Sequence, residues 1–214
     1  AYSTRHSKLT GRIMQRLLDI VFSLAALGVL AVVLIPIMII LRLTGEGEVF
    51  FRQIRVGRGA QPFGLLKFAT MLKNSPNLGT GTITVTDDPR VLPFGKFLRA
   101  TKINELPQLI NILNGDMSII GPRRQTPRCF DAFPEQSQRE IIKVRPGLSG
   151  VGSVAFRAEE KMMGDAENAD RLYDEVIMPY KGLLEEWYVA NRSLRNYFLL
   201  IFIEVEPTCF ILYK

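Results

Sequence analysis

Ile20–Leu41, IVFSLAALGVLAVVLIPIMIIL, is a run of 22 residues without a charge. At ~1.5 Å per residue, a straight helix of that length reaches across a bilayer core of about 30 Å. A helix that is apolar all round needs neighbours on every side if protein is to bury it. The 214 residues give room for one domain, or for one domain and an anchor. The run therefore reads as a membrane segment, with a buried core helix as the poorer alternative. A cleaved signal peptide fits poorly too, because the run is too long and no small-x-small site follows it. Two features argue against a simple span. Lys8, Arg12 and Arg16 precede the run, and Arg42, Arg52, Arg55 and Arg58 follow it, whereas a spanning helix carries its Lys/Arg excess on the cytoplasmic side only. Pro36 cannot donate to the carbonyl of Val32, and its ring clashes there. The expected structure is a re-entrant helix-break-helix hairpin with both ends on the cytoplasmic face.

The charge distribution supports the same placement. The formal net charge is +6. Residues 1–67 hold nine Lys/Arg against three acids, Asp19, Glu46 and Glu48, while the rest of the chain holds 18 of each sign. The whole excess surrounds the apolar run, where an anionic leaflet would attract it. A nucleic-acid binder would spread such charge over its folded part, so no nucleic-acid partner is expected. Cys129 and Cys209 stand 80 positions apart. That spacing gives neither a disulfide framework nor a CxxC pair, and both read as packing residues in a reducing compartment. His6 is the single histidine, which excludes a histidine-built zinc site and a Ser-His-Asp triad. Any chemistry falls to carboxylates, Lys, Arg and a hard cation.

Three segments result: a basic flank and membrane hairpin over 1–44, a cytoplasmic domain over 45–193, and a C-terminal interfacial segment over 194–214. In the domain, Glu48–Gln53 and Phe63–Phe68 read as strands joined through Gly57-Arg-Gly59. Thr82–Thr86 reads as a further short strand. A helix is expected over Glu105–Asn114, with Asn104 as N-cap, Pro107 in the first turn and Gly115 closing it. Residues 134–143 and roughly 157–192 read as helical, with a break near Pro179. The segments Tyr197–Ile203 and Cys209–Tyr213 are apolar, but Glu204, Glu206 and Pro207 interrupt them. A helix lying at the headgroups and a helix docked on the core both fit. The fold class is α+β, mainly helical, with a short β element and amphipathic interfacial helices.

An ordered series of motifs runs through the domain: Val49-Phe-Phe-Arg-Gln53, Arg55-Val-Gly57, Lys67-Phe68, Asp88-Pro-Arg90, Gly95-Lys-Phe-Leu-Arg99, Asn104-Glu-Leu-Pro-Gln-Leu-Ile-Asn111, Gly115-Asp-Met-Ser118, Gly121-Pro-Arg123 and Arg145-Pro-Gly-Leu-Ser-Gly150. In order and spacing it resembles the bacterial sugar transferases, the monotopic polyprenyl-phosphate phosphoglycosyl transferases, from about Arg12 to Ser193. The resemblance implies an enzyme of the bacterial inner membrane that starts a polysaccharide or glycoconjugate pathway. It would move a sugar-1-phosphate from a nucleotide-diphosphate sugar, usually a UDP-sugar, to polyprenyl phosphate. UMP would leave, Mg2+ would assist, and a covalent phospho-sugar enzyme would form on an Asp-Glu pair. The residues it designates are Asn104, Glu105, Arg99 and Lys67 for catalysis, with Glu105 as metal ligand. Arg123, Arg145, Arg90 and Asp88 would bind substrate. Membrane lipid is an implied partner and a homo-oligomer is compatible.

Three positions depart from the family pattern. Asn104 replaces the usual Asp, so the acidic group is Glu105, either as nucleophile or as metal ligand while another group attacks. Ala69 stands where an Arg is usual, and Arg124 where a Pro is usual. Asn104 also motivates a second reading, a non-catalytic membrane-bound binder of nucleotide sugar or lipid phosphate. Structural roles are open for the others: a turn for Asp88, its ion-pair partner for Arg90, snorkelling for Lys67, and a turn at Arg145-Pro-Gly.

Overall fold

The computed structural model describes residues 2–44, 46–75, 88–157 and 169–205. The expected strand Thr82–Thr86, Cys209 and the apolar segment Cys209–Tyr213 lie outside the described residues. Helix α1 (Tyr2–Leu43) carries Pro36 inside it and continues past it. The expected helix-break-helix is therefore drawn by the backbone as one helix. A proline in a helix interior forfeits one hydrogen bond and costs about 3 kcal/mol. Here Leu34, Ile37 and Leu41 bracket it and are buried against Phe68 and Leu98. Each such side chain contributes about 1.5–3 kcal/mol, enough to hold the helix through the proline.

Contacts divide the chain into two units, one of Ala1–Val21, Ile54–Phe63 and Ile112–Lys214, the other of Phe22–Gln53 and Gly64–Asn111. Strands β1 (Phe50–Val56) and β2 (Pro62–Phe68) form a two-stranded sheet, as the sequence predicts. In the second unit, Phe50 and Phe68 stack at 5.7 Å between ring centroids. The free edge of β2 is closed by one side chain. Asn111 donates to Gly64 O at 2.9 Å and accepts from Leu66 N at 2.9 Å, so an exposed strand edge is satisfied. Helix α2 (Pro93–Ala100) opens on a proline at its first turn. Gly95 lies so close to Thr70 that a β-carbon would run into the Thr70 carbonyl, and only glycine lets α2 pack there. A 3-10 turn, Ile103–Glu105, follows Lys102, which sits at φ 59. Helix α3 (Gln108–Asn114) starts only after it. The expected helix from Glu105 with Asn104 as cap is corrected accordingly: Leu106 already has helical backbone (φ -58, ψ -31), but Pro107 has no N–H with which to continue the ladder, and the α-helix begins one residue after the proline. Gly115 does close it, at φ 91.

In the first unit, β3 (Ser118–Ile120) and β4 (Gly147–Ser149) pair in parallel, Ser118 with Gly147 and Ile120 with Ser149. Helices α4 (Pro127–Asp131), α5 (Glu135–Ile141) and α6 (Val151–Ala155) are short. The α4 start is capped by Thr126, whose hydroxyl accepts from Cys129 N. Helix α7 (Ala169–Leu172) runs through a wider π turn, Tyr173–Ile177, into α8 (Met178–Ala190). That turn takes the place of the break expected near Pro179. Helix α9 (Leu194–Val205) buries Tyr197 and Leu200 and exposes Phe198, Leu199 and Phe202, so it is docked on one face and apolar on the other. One core cluster joins Ile120, Tyr188, Tyr197 and Leu200. A second joins Phe130, Phe133, Ile141 and Met178, with Cys129 packed against it.

The base of α1 enters the first unit through polar groups. Asp19, 2% exposed, accepts from Ser118 Oγ at 2.7 Å, Ile119 N at 3.0 Å and Tyr197 OH at 3.0 Å. Gln15 donates to Ser118 Oγ, Ile120 O and Tyr188 OH, and accepts from Arg192 Nε at 2.7 Å. Asp19→Ala strands three donors in the interior, each costing about 1–3 kcal/mol. Thermal unfolding of the detergent-solubilised variant is expected to lose at least ~3 kcal/mol, whereas Leu17→Ala, exposed on the same helix, should change stability by under about 0.5 kcal/mol.

Candidate active site

Lys67 and Phe68 are successive residues at the end of β2, and strand alternation sends them to opposite faces. Phe68 goes to the core. Lys67 instead reaches Glu105 of the 3-10 turn, Nζ to Oε1 3.8 Å, with side chains 22% and 33% exposed. Gln108 donates to Glu105 Oε2 at 3.2 Å, fixing the carboxylate from the first turn of α3. A pair this exposed contributes at most about 1 kcal/mol, too little to explain it by stability. Asn104 is buried, and among the described residues no group donates to its Oδ1. A buried acceptor left unpaired costs about 1–3 kcal/mol, and such acceptors are normally completed by a further partner, a bound water or ion included.

Asn104 and Lys67 line a cavity of about 520 Å³ in the second unit, together with Arg52, Arg99, Lys102 and Ala69. Glu48 and Lys73 also line it and pair with each other at 2.8 Å. That leaves Arg52, Arg99 and Lys102 as a surplus of cations facing the cavity beside the Lys67–Glu105 pair, where low-dielectric walls focus their field. Guanidinium groups clamp phosphate oxygens in pairs, and a diphosphate suits this charge. Phe50, Phe51 and Phe68 also line the cavity. Ala69, where the family pattern has Arg, leaves space rather than a further cation.

Among the described residues no group of three or more His, Cys, Asp or Glu gathers to hold a metal. The oxygens of Glu105 and the unpaired Asn104 Oδ1 are nevertheless a suitable donor set for Mg2+. That ion binds through one or two protein oxygens, keeps waters, and takes the remainder from substrate phosphates.

Asp88 and Arg90 are engaged with each other. Arg90 donates to both Asp88 oxygens at 2.8 and 2.5 Å and to Ser75 O at 2.8 Å, and both residues are buried. Removing one partner of such a pair costs about 3–5 kcal/mol, which makes them a lock for the backbone that precedes α2.

Arg123 and Arg145 belong to the first unit. Arg145 donates to Gly115 O at 2.6 Å, and Arg16 to Ile112 O and Leu113 O at 2.5 and 2.9 Å. Two cations thus meet the carbonyls at the C-terminal end of α3, where the helix dipole favours them. Arg124 donates to Leu148 O at 2.6 Å, tying its loop to β4. Arg123 points its side chain to Ser153 Oγ at 3.3 Å, and its backbone N donates to Glu185 Oε1 at 3.0 Å.

Glu185 was not legible as a functional residue, yet it braces the Arg123 loop. Its neighbour Gly152 leaves it room, because a β-carbon there would sit 2.5 Å from Glu185 Oε1 and push the carboxylate aside. Burial pushes the Glu185 carboxyl from 4.5 to about 7, against the lowering effect of the Arg123 and Gly152 N–H groups and the Arg123 and Lys181 charges. The available signal was periodicity: Met178, Gly182, Glu185 and Tyr188 are all buried on α8, so a carboxylate stands on the core face of an amphipathic helix. Arg52 and Lys102 were missed as cavity residues because neither has a local signature.

The bacterial sugar transferase family model matches residues 10–209. The UDP-glucose:undecaprenyl-phosphate glucose-1-phosphate transferase of Escherichia coli K12 is 37% identical over 193 residues, 89% of this chain and 40% of that protein. The UDP-N-acetylgalactosamine-undecaprenyl-phosphate N-acetylgalactosaminephosphotransferase of Aeromonas hydrophila is 33% identical over 191 residues, 88% and 42% respectively. The exopolysaccharide production protein ExoY of Sinorhizobium fredii is 28% identical over 213 residues, 93% and 87%. The chain thus spans about two fifths of the length of the first two relatives.

The raised Glu185 carboxyl has a consequence for stability. Below pH 4.5 it is protonated both folded and unfolded; between 4.5 and about 7 only the unfolded chain releases the proton. Folding stability should fall across that window, by on the order of 3 kcal/mol, and stay lower above it. Glu185→Gln keeps the acceptor for Arg123 N. Melting curves from pH 4 to 8 are expected to show the fall for the native chain and a flatter profile for Glu185→Gln.

Proposed function

The chain belongs to the bacterial sugar transferase family, and we propose that it moves a sugar-1-phosphate from a UDP-sugar to undecaprenyl phosphate, releasing UMP. The relatives in Escherichia and Aeromonas are named for that type of transfer. One observation supports the reading above others: a cation-rich cavity bordered by Lys67 and Asn104, with Glu105 held beside Lys67. A diphosphate fits the cations, and a carboxylate within reach of it supplies a nucleophile.

In this mechanism Arg52, Arg99 and Lys102 hold the diphosphate, and Lys67 orients Glu105 while balancing its charge. A Glu105 oxygen attacks the phosphorus that bears the sugar. The bond from that phosphorus to the bridging oxygen breaks, and UMP departs with the oxygen. A phosphate oxygen of undecaprenyl phosphate then attacks the same phosphorus, and Glu105 recovers its free carboxylate. Splitting the transfer lets the soluble donor leave before the lipid acceptor arrives. The Asn104 amide has no nucleophilic oxygen to spare for this step and contributes Oδ1 as an acceptor. Mg2+, when bound through Glu105 and Asn104, would neutralise charge on the phosphate oxygens.

The seat of this chemistry is the cytoplasmic face of the bacterial inner membrane, which α1 enters without crossing. Its residues Leu34, Ile37 and Leu41 are covered on one side by Phe68 and Leu98. A stretch so covered cannot be ringed by lipid, while Val29, Val32 and Ile35 remain exposed to it.

Two experiments test this. UMP release from a panel of UDP-sugars, with undecaprenyl phosphate and Mg2+, should drop at least about a thousandfold in Glu105→Gln with donor binding retained. An active variant would move the nucleophile elsewhere, and donor binding without UMP release by the native chain would indicate a binder. With the native cysteines replaced, Thr10→Cys and Thr44→Cys should both react with an impermeant thiol reagent from the cytoplasmic side. Reaction from opposite sides would overturn the placement.

A further inference from the structure

A second cavity, also of about 520 Å³, lies wholly within the first unit. It is lined by Arg12, Met14 and Gln15 of α1 and by Arg192, Ser193 and Leu194 where α8 gives way to α9. None of these residues has a part in the transfer derived above. Gln15 is buried and holds the Arg192 Nε at 2.7 Å, so one wall of the cavity is fixed by the same cluster that anchors α1. No hydrogen bond or ion pair among the described residues engages Arg12.

The charge around the cavity is unbalanced. Burial, and after it the charges of Arg12 and Arg58, push the Arg192 guanidinium below its ordinary value. Burial, and after it Arg16, Arg58 and Arg192, does the same to Arg145. Five arginines therefore repel one another across one patch. The acid that acts on both Arg145 and Arg192 is Asp19, whose oxygens are committed to Ser118, Ile119 and Tyr197. Arg16 and Arg145 are offset in part by the carbonyls ending α3, and Arg192 in part by Gln15 Oε1 and the charge of Asp19, but no ion pair among the described residues engages Arg12 or Arg58. A patch of this kind lowers its energy by taking up an anion.

The cavity wall also says what carries the anion. Met14 lines it and is 43% exposed, and Leu17 and Val21 follow at 51% and 57%. At spacings of three and four residues they form one strip along α1. The strip runs roughly 10 Å from the arginines into the apolar segment. A free nucleotide or inorganic phosphate has nothing to place on that strip, whereas an acyl chain does. We propose that the cavity between Arg12 and Arg192 is a headgroup site for an anionic glycerophospholipid, its phosphate between the arginines and an acyl chain along Met14, Leu17 and Val21.

The test reads binding rather than turnover, so its failure is separable from failure of the transferase reading. The full chain in neutral detergent is titrated with dioleoylphosphatidylglycerol or dioleoylphosphatidylcholine, and retained lipid is counted by native mass spectrometry. One phosphatidylglycerol per chain is expected, held at least about tenfold more tightly than phosphatidylcholine. Arg12→Gln should weaken it by about tenfold, the size expected for one charge-assisted hydrogen bond. Arg139→Gln, an exposed arginine on α5, should leave it unchanged. Arg12 is itself exposed, so this variant keeps the Gln15–Arg192 bond; the double variant Arg12→Gln/Arg192→Gln should abolish retention. Equal retention of the two lipids, an unaffected Arg12→Gln, or an equal loss in Arg139→Gln would overturn the site. Displacement of the lipid by UMP or inorganic phosphate at millimolar concentration would reassign it to a soluble phosphate and overturn the lipid assignment.

Discussion

Asp19 is the constraint on which the first unit rests. A carboxylate at the foot of an apolar helix is costly to bury, and it is buried here because Ser118, Ile119 and Tyr197 all donate to it. Those donors come from β3 and α9, so one side chain holds together the long apolar helix, a strand and the last helix described. Gln15, one turn earlier, adds Ile120 and Tyr188. Apolar packing alone would let a helix this uniform rotate or slide along its partners. The buried polar groups fix its rotation and its depth, because any slip leaves several donors without acceptors.

The second unit is held differently. Its core is the stripe Leu34, Ile37 and Leu41 against Phe68 and Leu98, and its polar groups are turned outward to the cavity. Gly95 lets α2 close on Thr70, which brings Arg99 to the cavity wall. The Asp88–Arg90 lock holds the segment leading into α2. Glu105 lies in a short 3-10 turn, with one oxygen towards Lys67 and the other bonded to Gln108. An orphaned acceptor beside a surplus of cations is a state a protein tolerates where a ligand completes the set.

Much of this was readable from residue order. The hairpin of β1 and β2 follows from two β-rich runs around Gly57-Arg-Gly59, and the motif series singles out Lys67, Arg99, Asn104 and Glu105, which the fold brings close together. Other parts were not readable, for identifiable reasons. Pro36 signals a break, but a proline's cost of about 3 kcal/mol is comparable to one or two well-packed side chains, and the sequence does not say which residues will cover Leu34 and Ile37. Asn104 is a good N-cap by type, yet Pro107 moved the helix start beyond it. Arg145 carries the same charge whether it meets a phosphate or a helix end, so its contact with Gly115 O was invisible beforehand.

By itself, the sequence determined that the chain has a long uncharged apolar segment, where its excess charge lies, and which ordered residues place it in its family. These are properties of composition and spacing, which are local. Tertiary structure alone decided that Asp19 and Gln15 anchor rather than merely flank that segment, that Glu185 braces the Arg123 loop, and that Arg12 and Arg192 share a cavity although 180 positions separate them. The roles of such polar groups depend on which partners desolvation brings to them, and folding brings those partners from distant parts of the chain.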